Sequence, residues 1–186
     1  MSAPARPQAS ATLFDTAIGT CAIAWSATGV LRFAFPEPDL EDVRDYILHK
    51  HRLVDIQETA PDAEITRVID GVRAHLAGNL DDLRWIPLAP NLFNDFDRAV
   101  YTVTRAIDPG HTLSYGTVAT RIGHPGGAQA VGQSLGRNPI PLIIPCHRVL
   151  AADNALTGFS APGGIDTKVR LLEIERTPGF GEPTLF

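Results

Sequence analysis

The chain has 186 residues, of which 44% are hydrophobic and 20% are charged, as is typical of a globular protein that buries its own core. No apolar run reaches the roughly 18 residues of a membrane-spanning helix, and no signal peptide is evident, so we expect a cytoplasmic protein with no membrane partner. The formal net charge is −5, but 98–150 hold five arginines against one acid, and such a local basic patch is compatible with nucleic-acid binding.

The first part of the chain has the pattern of a small α/β domain at 12–90, after a disordered tail expected at 1–11. Alternation predicts strands at 13–17, 21–26 and 30–35 and short ones at 53–56 and 85–88. Apolar residues at helical spacing predict a helix opened by Asp39 and another from about Ala63 to Gly78.

The two cysteines of the chain are far apart in sequence, and neither has a second cysteine at metal-ligand spacing. We therefore expect no disulfide framework. We interpret Cys21, in the second predicted strand, as a small buried hydrophobe. No catalytic cluster is evident in this first part of the chain.

The second part, at 91–178, is predicted to be mostly helical, with a C-terminal tail at 179–186. A helical face from Phe93 to Ile107 ends at Pro109, and Ser114 can cap a short helix. Further helices are expected at 128–136 and 167–176. Two helices around a glycine-containing turn are typical of a helix-turn-helix, although many helical proteins contain such a corner.

The helix at 128–136 has an unusual surface, because Val131 and Leu135 point inward and the remaining positions carry short or polar side chains. These positions include a polar stripe and several small residues: Gln129, Gln133, Arg137, Ala128, Ala130 and Gly132. A helix with such short side chains can lie close against either a neighbouring helix or a DNA groove. The helix does not carry the long side chains with which sequence-specific regulators read base edges. This favours contact with the DNA backbone and recognition of the shape of the groove.

The candidate nucleophile follows this helix. Three prolines enclose the apolar residues 142–144 and fix the backbone before Cys146. A thiol reacts as the thiolate, and an imidazole oriented by a carboxylate can take its proton. His147 is adjacent in sequence, and the last helix offers two carboxylates, Glu173 and Glu175. A Cys-His pair alone is weak evidence, since most such cysteines are inert.

The surrounding sequence is more specific. Pro-Cys-His-Arg-Val, preceded by Asn-Pro-Ile-Pro and an apolar triplet, resembles the active-site signature of the O6-alkylguanine-DNA alkyltransferases (methylated-DNA–protein-cysteine methyltransferases). The likeness extends from about Phe93 to Glu175 and more faintly through the first part. It implies an α+β fold, with an N-terminal ribonuclease-H-like α/β domain and a helical C-terminal domain that contains a winged-helix-like helix-turn-helix.

The resemblance also implies an activity. A monomer of this family binds double-stranded DNA carrying O6-alkylguanine, flips the damaged base out of the stack, and takes its alkyl group irreversibly onto a cysteine. No cofactor is needed. In this chain Cys146 would be the acceptor and His147 its base through water. The spacing after Leu171-Leu172 favours Glu175 over Glu173 as the carboxylate behind His147.

Further roles are implied for residues around the acceptor. Asn138 would brace the turn between the recognition helix and the active site, and Arg148 would be a structural and electrostatic support. Tyr115 would donate its hydroxyl to the flipped base, whose exocyclic amine would bond to the carbonyls of Cys146 and Val149. Ser160 would close the pocket near O6. The recognition-helix residues given above would contact DNA.

The sequence departs from the family in three places. Gln129 stands where most members have the arginine that fills the gap left by the flipped base, which predicts weaker or differently selective DNA binding. Phe159 replaces a tyrosine in a loop that is two residues longer, which affects the range of alkyl groups. The cysteine pair of the zinc site found in some relatives is missing, so we expect no metal.

Two other functions remain compatible with these residues. One is a module that recognises alkylated bases without chemistry, although members of that kind lack the acceptor cysteine. The other is a thiol hydrolase that uses Cys146, His147 and a carboxylate. A hydrolase would release more than one product per protein molecule, whereas an alkyl acceptor would stop after one.

Overall fold

The computed structural model describes residues 8–49, 55–90 and 92–181. Its first part is a four-stranded sheet in the order β3-β2-β1-β4, antiparallel except for the parallel pair β1 and β4. The strands are β1 (Gln8–Thr16), β2 (Gly19–Ser26), β3 (Gly29–Ala34) and β4 (Asp55–Glu58). Gly29 begins β3 at φ 135°, and a Cβ there would lie 2.7 Å from the Leu88 backbone, so only glycine fits this turn.

Two helices cover the two faces of this sheet, α1 (Leu40–His49) and α2 (Ala63–Leu76). Val43 and Ile47 of α1 pack on alanines of one face. The inward residues of α2 pack with Phe33 and other large side chains of the opposite face. The helical spacing of the apolar residues therefore predicted both helices correctly. Asp62 caps α2 by accepting from the Ile65 amide at 2.9 Å.

Three expectations for this part need correction. β1 begins at Gln8, so the predicted tail is wrong for 8–11, where pairing with β4 extends the strand; residues 1–7 lie outside the described residues. The strand expected at 53–56 is observed at Asp55–Glu58, and 53–54 are not described. Residues 85–88 form a turn with one bridge, between Val30 and Leu88, because Pro87 has no N–H to continue a ladder.

The second part is helical with one short parallel pair of strands. Its elements are α3 (Asp95–Arg105), β5 (Leu113–Ser114), α4 (Tyr115–Arg121), α5 (Ala128–Gly136), β6 (Val149–Leu150) and α6 (Gly164–Ile174). The bounds of α5 and the Ser114 cap of α4 are confirmed. The last helix was expected at 167–176; it instead begins three residues earlier, and Glu175 is its C-cap. Residues 182–186 of the expected tail are not described.

The two parts share one continuous core. Ile23 and Val72 of the first part belong to the same buried cluster as Val100 and Val149 of the second. The amide of Phe33 donates to the carbonyl of Pro139 at 3.0 Å, which ties the edge strand β3 to the segment that leads to Cys146. The sheet therefore supports that segment directly.

Across the described ranges, no helix is both long and apolar enough to cross a membrane.

Candidate active site

Cys146 sits on an irregular segment that is fixed from several sides. Residues 140–150 are all buried, and Leu142 adopts φ 72°, a left-handed conformation that costs a leucine about 1–2 kcal/mol. Asn138 spans the segment: its Nδ2 donates to the Ile144 carbonyl at 2.9 Å, and its Oδ1 accepts from the Ile140 amide at 3.0 Å. Asn138 thus lies where the sequence placed it, in the turn between α5 and Cys146.

The Cys146 thiol is protonated at rest. It is 7% exposed, and this burial raises its pKa, while a hydrogen bond with Asn138, the charge of Lys168 and nearby backbone N–H groups act in the opposite direction. A buried thiol with a raised pKa needs a base before it can attack.

Glu175 is the centre of a buried network beside the thiol. Its Oε1 lies 2.9 Å from His147 Nε2, 3.0 Å from His75 Nε2 and 2.7 Å from Arg148 Nη2, and its Oε2 accepts from Arg148 Nε at 2.9 Å. The competing Glu173 is exposed. The structure thus brings Glu175, and not Glu173, against His147.

This network determines the protonation of Glu175 and His147. Burial alone would raise the pKa of Glu175, but His147, His75 and Arg148 hold it well below its usual range, so the group is a carboxylate. A carboxylate only accepts hydrogen bonds, so His147 carries its proton on Nε2. Burial lowers the pKa of His147, which keeps the ring neutral. Its Nδ1, which has no hydrogen-bond partner among the described residues, is the nitrogen that can accept a proton.

Two cavities meet at Cys146. One, of about 260 Å³, is bordered by Tyr115, Gly132 and Lys168. The other, of about 360 Å³, extends to Arg32 on the sheet. Both are also bordered by the loop residues Phe159 and Ser160. The sulfur therefore stands between a space beside the recognition helix and a space against the first part of the chain.

Of the expected base-pocket residues, Val149 lines neither of these two cavities. Tyr115 and Ser160 line the smaller one. The Cys146 carbonyl already accepts from the Val149 amide, and the Val149 carbonyl accepts from Lys168 Nζ at 2.8 Å. Each carbonyl oxygen keeps its second lone pair for a further donor. Arg148 faces away from the cavities and pairs with Glu175.

The sequence analysis missed Lys168. The residue is fully buried, and its Nζ lies 5.8 Å from the centre of the Tyr115 ring. A lysine on a helix is normally exposed. Its position in the sequence could have indicated this burial, since Lys168 shares a helical face with Leu171, Leu172 and Glu175.

The sequence analysis also missed His75. It lies on α2 in the first part, 100 residues from Glu175, and it is fully buried. Its Nδ1 accepts from the Asp81 amide at 3.2 Å. The signal was again positional, because His75 is three residues after the inward Val72.

The surface of α5 is as expected from the sequence. Gln129, Gln133 and Arg137 are exposed, and the small residues Ala128, Ala130 and Gly132 are partly buried. Arg137 already has an acidic partner, because its Nη2 lies 3.0 Å from Oδ1 of Asp97. It is therefore less available to bind a DNA phosphate. In the described parts of the chain no group of three or more His, Cys, Asp or Glu side chains is arranged to hold a metal ion.

Comparison with known proteins identifies relatives of the chain. The family model described as 6-O-methylguanine DNA methyltransferase, DNA binding domain, matches 95–177. The methylated-DNA–protein-cysteine methyltransferase of Mycobacterium tuberculosis (strain ATCC 25618 / H37Rv) is 41% identical over 124 residues, which cover 63% of this chain and 69% of that protein. Its namesake from Haemophilus influenzae is 43% identical over 107 residues, 58% of each chain.

Solved structures agree with the sequence relatives. The crystal structure of Mycobacterium tuberculosis OGT in complex with DNA matches with a TM-score of 0.70 and 31% identity, covering 90% of this chain and 93% of that one. The O6-methylguanine-DNA methyltransferase of Pyrococcus kodakaraensis matches with a TM-score of 0.63 and 27% identity, covering 90% and 98%. The mixed α+β architecture is common to the chain and these structures.

Proposed function

The chain belongs to the methylated-DNA–protein-cysteine methyltransferase family, and we propose that it repairs DNA by moving the alkyl group of O6-alkylguanine onto Cys146. One observation carries the proposal: a buried thiol stands between two cavities, next to a neutral histidine whose Nε2 is held by a carboxylate 2.9 Å away. This arrangement supplies a nucleophile, a base and room for a substrate.

The transfer begins with the thiol proton. It passes from Cys146, through a bridging water, to Nδ1 of His147, and Glu175 stabilises the imidazolium that forms. General-base help of this kind is worth roughly 10²–10⁴-fold in rate. The high pKa of the buried thiol has a second effect, since thiolates of higher pKa are intrinsically better nucleophiles.

The thiolate then attacks the alkyl carbon from the side opposite O6. The S–C bond forms as the C–O6 bond breaks, and the electron pair returns to the guanine. In this proposal Tyr115 and Ser160, which line the smaller cavity, have separate roles: Tyr115 donates its hydroxyl to the flipped base, and Ser160 closes the pocket near O6. The spare lone pairs of the Cys146 and Val149 carbonyls accept from the exocyclic amine.

The product explains why each molecule works once. The alkyl group ends in a thioether, which no side chain of a protein hydrolyses at neutral pH. Neither a cofactor nor a metal takes part in the displacement. The protein is therefore consumed one for one with the lesion.

We propose that α4 and α5 form the helix-turn-helix and that α5 enters the DNA groove. Two supports for this are the glycine-containing turn between the helices and the exposed polar stripe with Gln129 at its start. The β3-β2-β1-β4 sheet with a single parallel pair supports the ribonuclease-H-like assignment of the first part. The DNA substrate also places the protein's action in the compartment that holds the DNA, which we expect to be the cytoplasm.

The two alternative functions are less well supported. A module that only recognises lesions has no use for a buried thiol followed directly by a neutral histidine that is held by a carboxylate. The relatives of the chain do not favour a hydrolase, since they are named methylated-DNA–protein-cysteine methyltransferases.

Intact-protein mass spectrometry after incubation with excess O6-methylguanine duplex tests the proposal, with Cys146→Ser as the control. We expect a single added methyl group, mapped to Cys146 by peptide analysis and missing from the variant. Unmodified protein that still binds the lesion would instead favour the recognition module.

A further inference from the structure

We propose that His75, contributed by the first part of the chain, is a positioning residue for the transfer: it holds Oε1 of Glu175 against His147. This inference rests on the proposed function of Cys146. It assigns to the sheet-bearing part a role beyond support, since one of its side chains reaches the network that handles the thiol proton.

The geometry fixes what His75 can do. The Asp81 amide donates to His75 Nδ1 at 3.2 Å, so this nitrogen is an acceptor and the ring proton is on Nε2. Nε2 lies 3.0 Å from Glu175 Oε1. The neutral ring is therefore oriented by one backbone amide so that it can only donate to the carboxylate.

Oε1 of Glu175 is shared among three donors, which come from His75, His147 and Arg148. Each donor takes part of the carboxylate charge. The charged or titratable groups acting on His147 are Glu175, Arg148 and His75, whereas Lys168 donates to the Val149 carbonyl. Of these, Glu175 favours the protonated ring, whereas the charge of Arg148 disfavours it. The neutral His75 acts instead through its hydrogen bond to Oε1 of Glu175.

Two consequences follow for the reaction. By holding Oε1, His75 keeps the carboxylate facing Nε2 of His147, and Nδ1 remains the proton acceptor. By sharing Oε1, it moderates the attraction of Glu175 for a proton on His147. Without His75 the His147 ring is protonated at a higher pH, and a protonated ring cannot accept the proton of Cys146.

A purely structural role is the competing explanation, since His75 also satisfies the Asp81 amide at the end of α2. Two substitutions separate these roles. His75→Asn keeps an acceptor near Nδ1 for that amide but is too short to reach Glu175. His75→Gln places an amide N–H near the position of Nε2 and keeps the donor to Glu175, at the expense of the Asp81 contact.

The test is the single-turnover rate of methyl transfer to Cys146 as a function of pH, in the full chain. We expect His75→Asn to move the acidic limb of the profile upward by about one pH unit, so that transfer slows by up to roughly tenfold at pH values below the wild-type midpoint. His75→Gln should retain a profile close to that of the wild type. Equal profiles for the two variants, or a larger shift for His75→Gln, would overturn the inference.

A second readout does not depend on transfer. Titration of the His147 ring by NMR in the unreacted protein should show the same upward shift in His75→Asn and not in His75→Gln. If wild-type protein fails to accept a methyl group, the proposed function fails while this titration still decides the role of His75. Should His75→Asn not fold, His75→Leu repeats the test, because it fills a similar volume and has no donor.

Discussion

The two parts of the chain contribute to the site in different ways. The first part is built of regular strands and helices. Among its described residues, His75 reaches Glu175, and the cavity wall around Arg32 borders a space at Cys146. In the second part the acceptor lies on irregular backbone, in the fully buried run at 140–150. Irregular buried backbone cannot hold its own shape, because it lacks the repeating hydrogen bonds of a helix or sheet. The regular part therefore supplies the rigidity that the reactive segment lacks.

The largest expected effect compares the two cysteines, one in each part. Cys146→Ser should abolish methyl transfer while leaving lesion binding, since a hydroxyl is far less acidic than a thiol. Cys21→Ala should transfer at the wild-type rate, because burial raises the pKa of Cys21 to about 12 and its thiol packs in the core beside the Thr16 hydroxyl. Its cost is about 1 kcal/mol of stability. Transfer rates and chemical unfolding of both variants check this; a Cys21→Ala protein without transfer would break the comparison.

The next largest effect concerns the carboxylate of Glu175, which contacts His75 of the first part and His147 of the second. Glu175→Gln should slow transfer by about 10²–10⁴-fold and cost about 3–5 kcal/mol of stability, because it leaves Arg148 buried without its counter-charge. Glu173→Gln is the matched control at an exposed position two residues earlier, with an expected change within about 0.5 kcal/mol. Similar losses in both variants would show that the choice of Glu175 is wrong.

Stability should also fall on acidification, in two stages. Burial lowers the pKa of His147 and the donors around Glu175 lower that of the carboxyl, so the unfolded chain binds protons that the folded one excludes. The contribution of His147 is present above a pH of about 6.5 and that of Glu175 above about 4.3, and each is lost below these values, at up to ~1.4 kcal/mol per pH unit and proton. Urea unfolding from pH 8 to pH 4 measures this. A free energy of unfolding that stays constant from pH 7 to pH 5 would contradict it.

The smallest expected effect concerns DNA. Gln129→Arg adds a charge at the exposed start of α5 and should raise duplex affinity by up to about tenfold, with a steeper salt dependence. Gln57→Arg adds the same charge on exposed β4 of the first part and should leave affinity nearly unchanged. Fluorescence anisotropy at several salt concentrations compares them. If both variants gain equally, net charge and not the position on α5 controls binding.

The sequence predicted elements whose signal is local. Apolar spacing and the Ser114 cap located α4 and α5, and the contrast between alternation and helical spacing separated the sheet from its helices. Prediction failed where a distant partner decides the outcome. Gln8–Ala11 are strand because they pair with β4. The error at 85–88 has a local cause instead, because Pro87 has no N–H to continue a ladder.

The residues of the site also differ in whether a local signal or a distant partner determines them. Cys146 and His147 are adjacent, and Asn138 belongs to the same motif, so the sequence alone identifies these three residues as one group. His75 and Lys168 are ordinary polar residues on helices, and their burial depends on partners far away in the chain. Only their positions on inward helical faces distinguished them.

The central claim is that Cys146 receives one alkyl group and keeps it. The most direct test is to count the methyl groups transferred per protein molecule when O6-methylguanine duplex is in large excess and the reaction is followed to its end. We expect one methyl group per molecule, and no further transfer on addition of fresh substrate. Continued turnover beyond one, or repaired DNA with no methyl group on the protein, would contradict it.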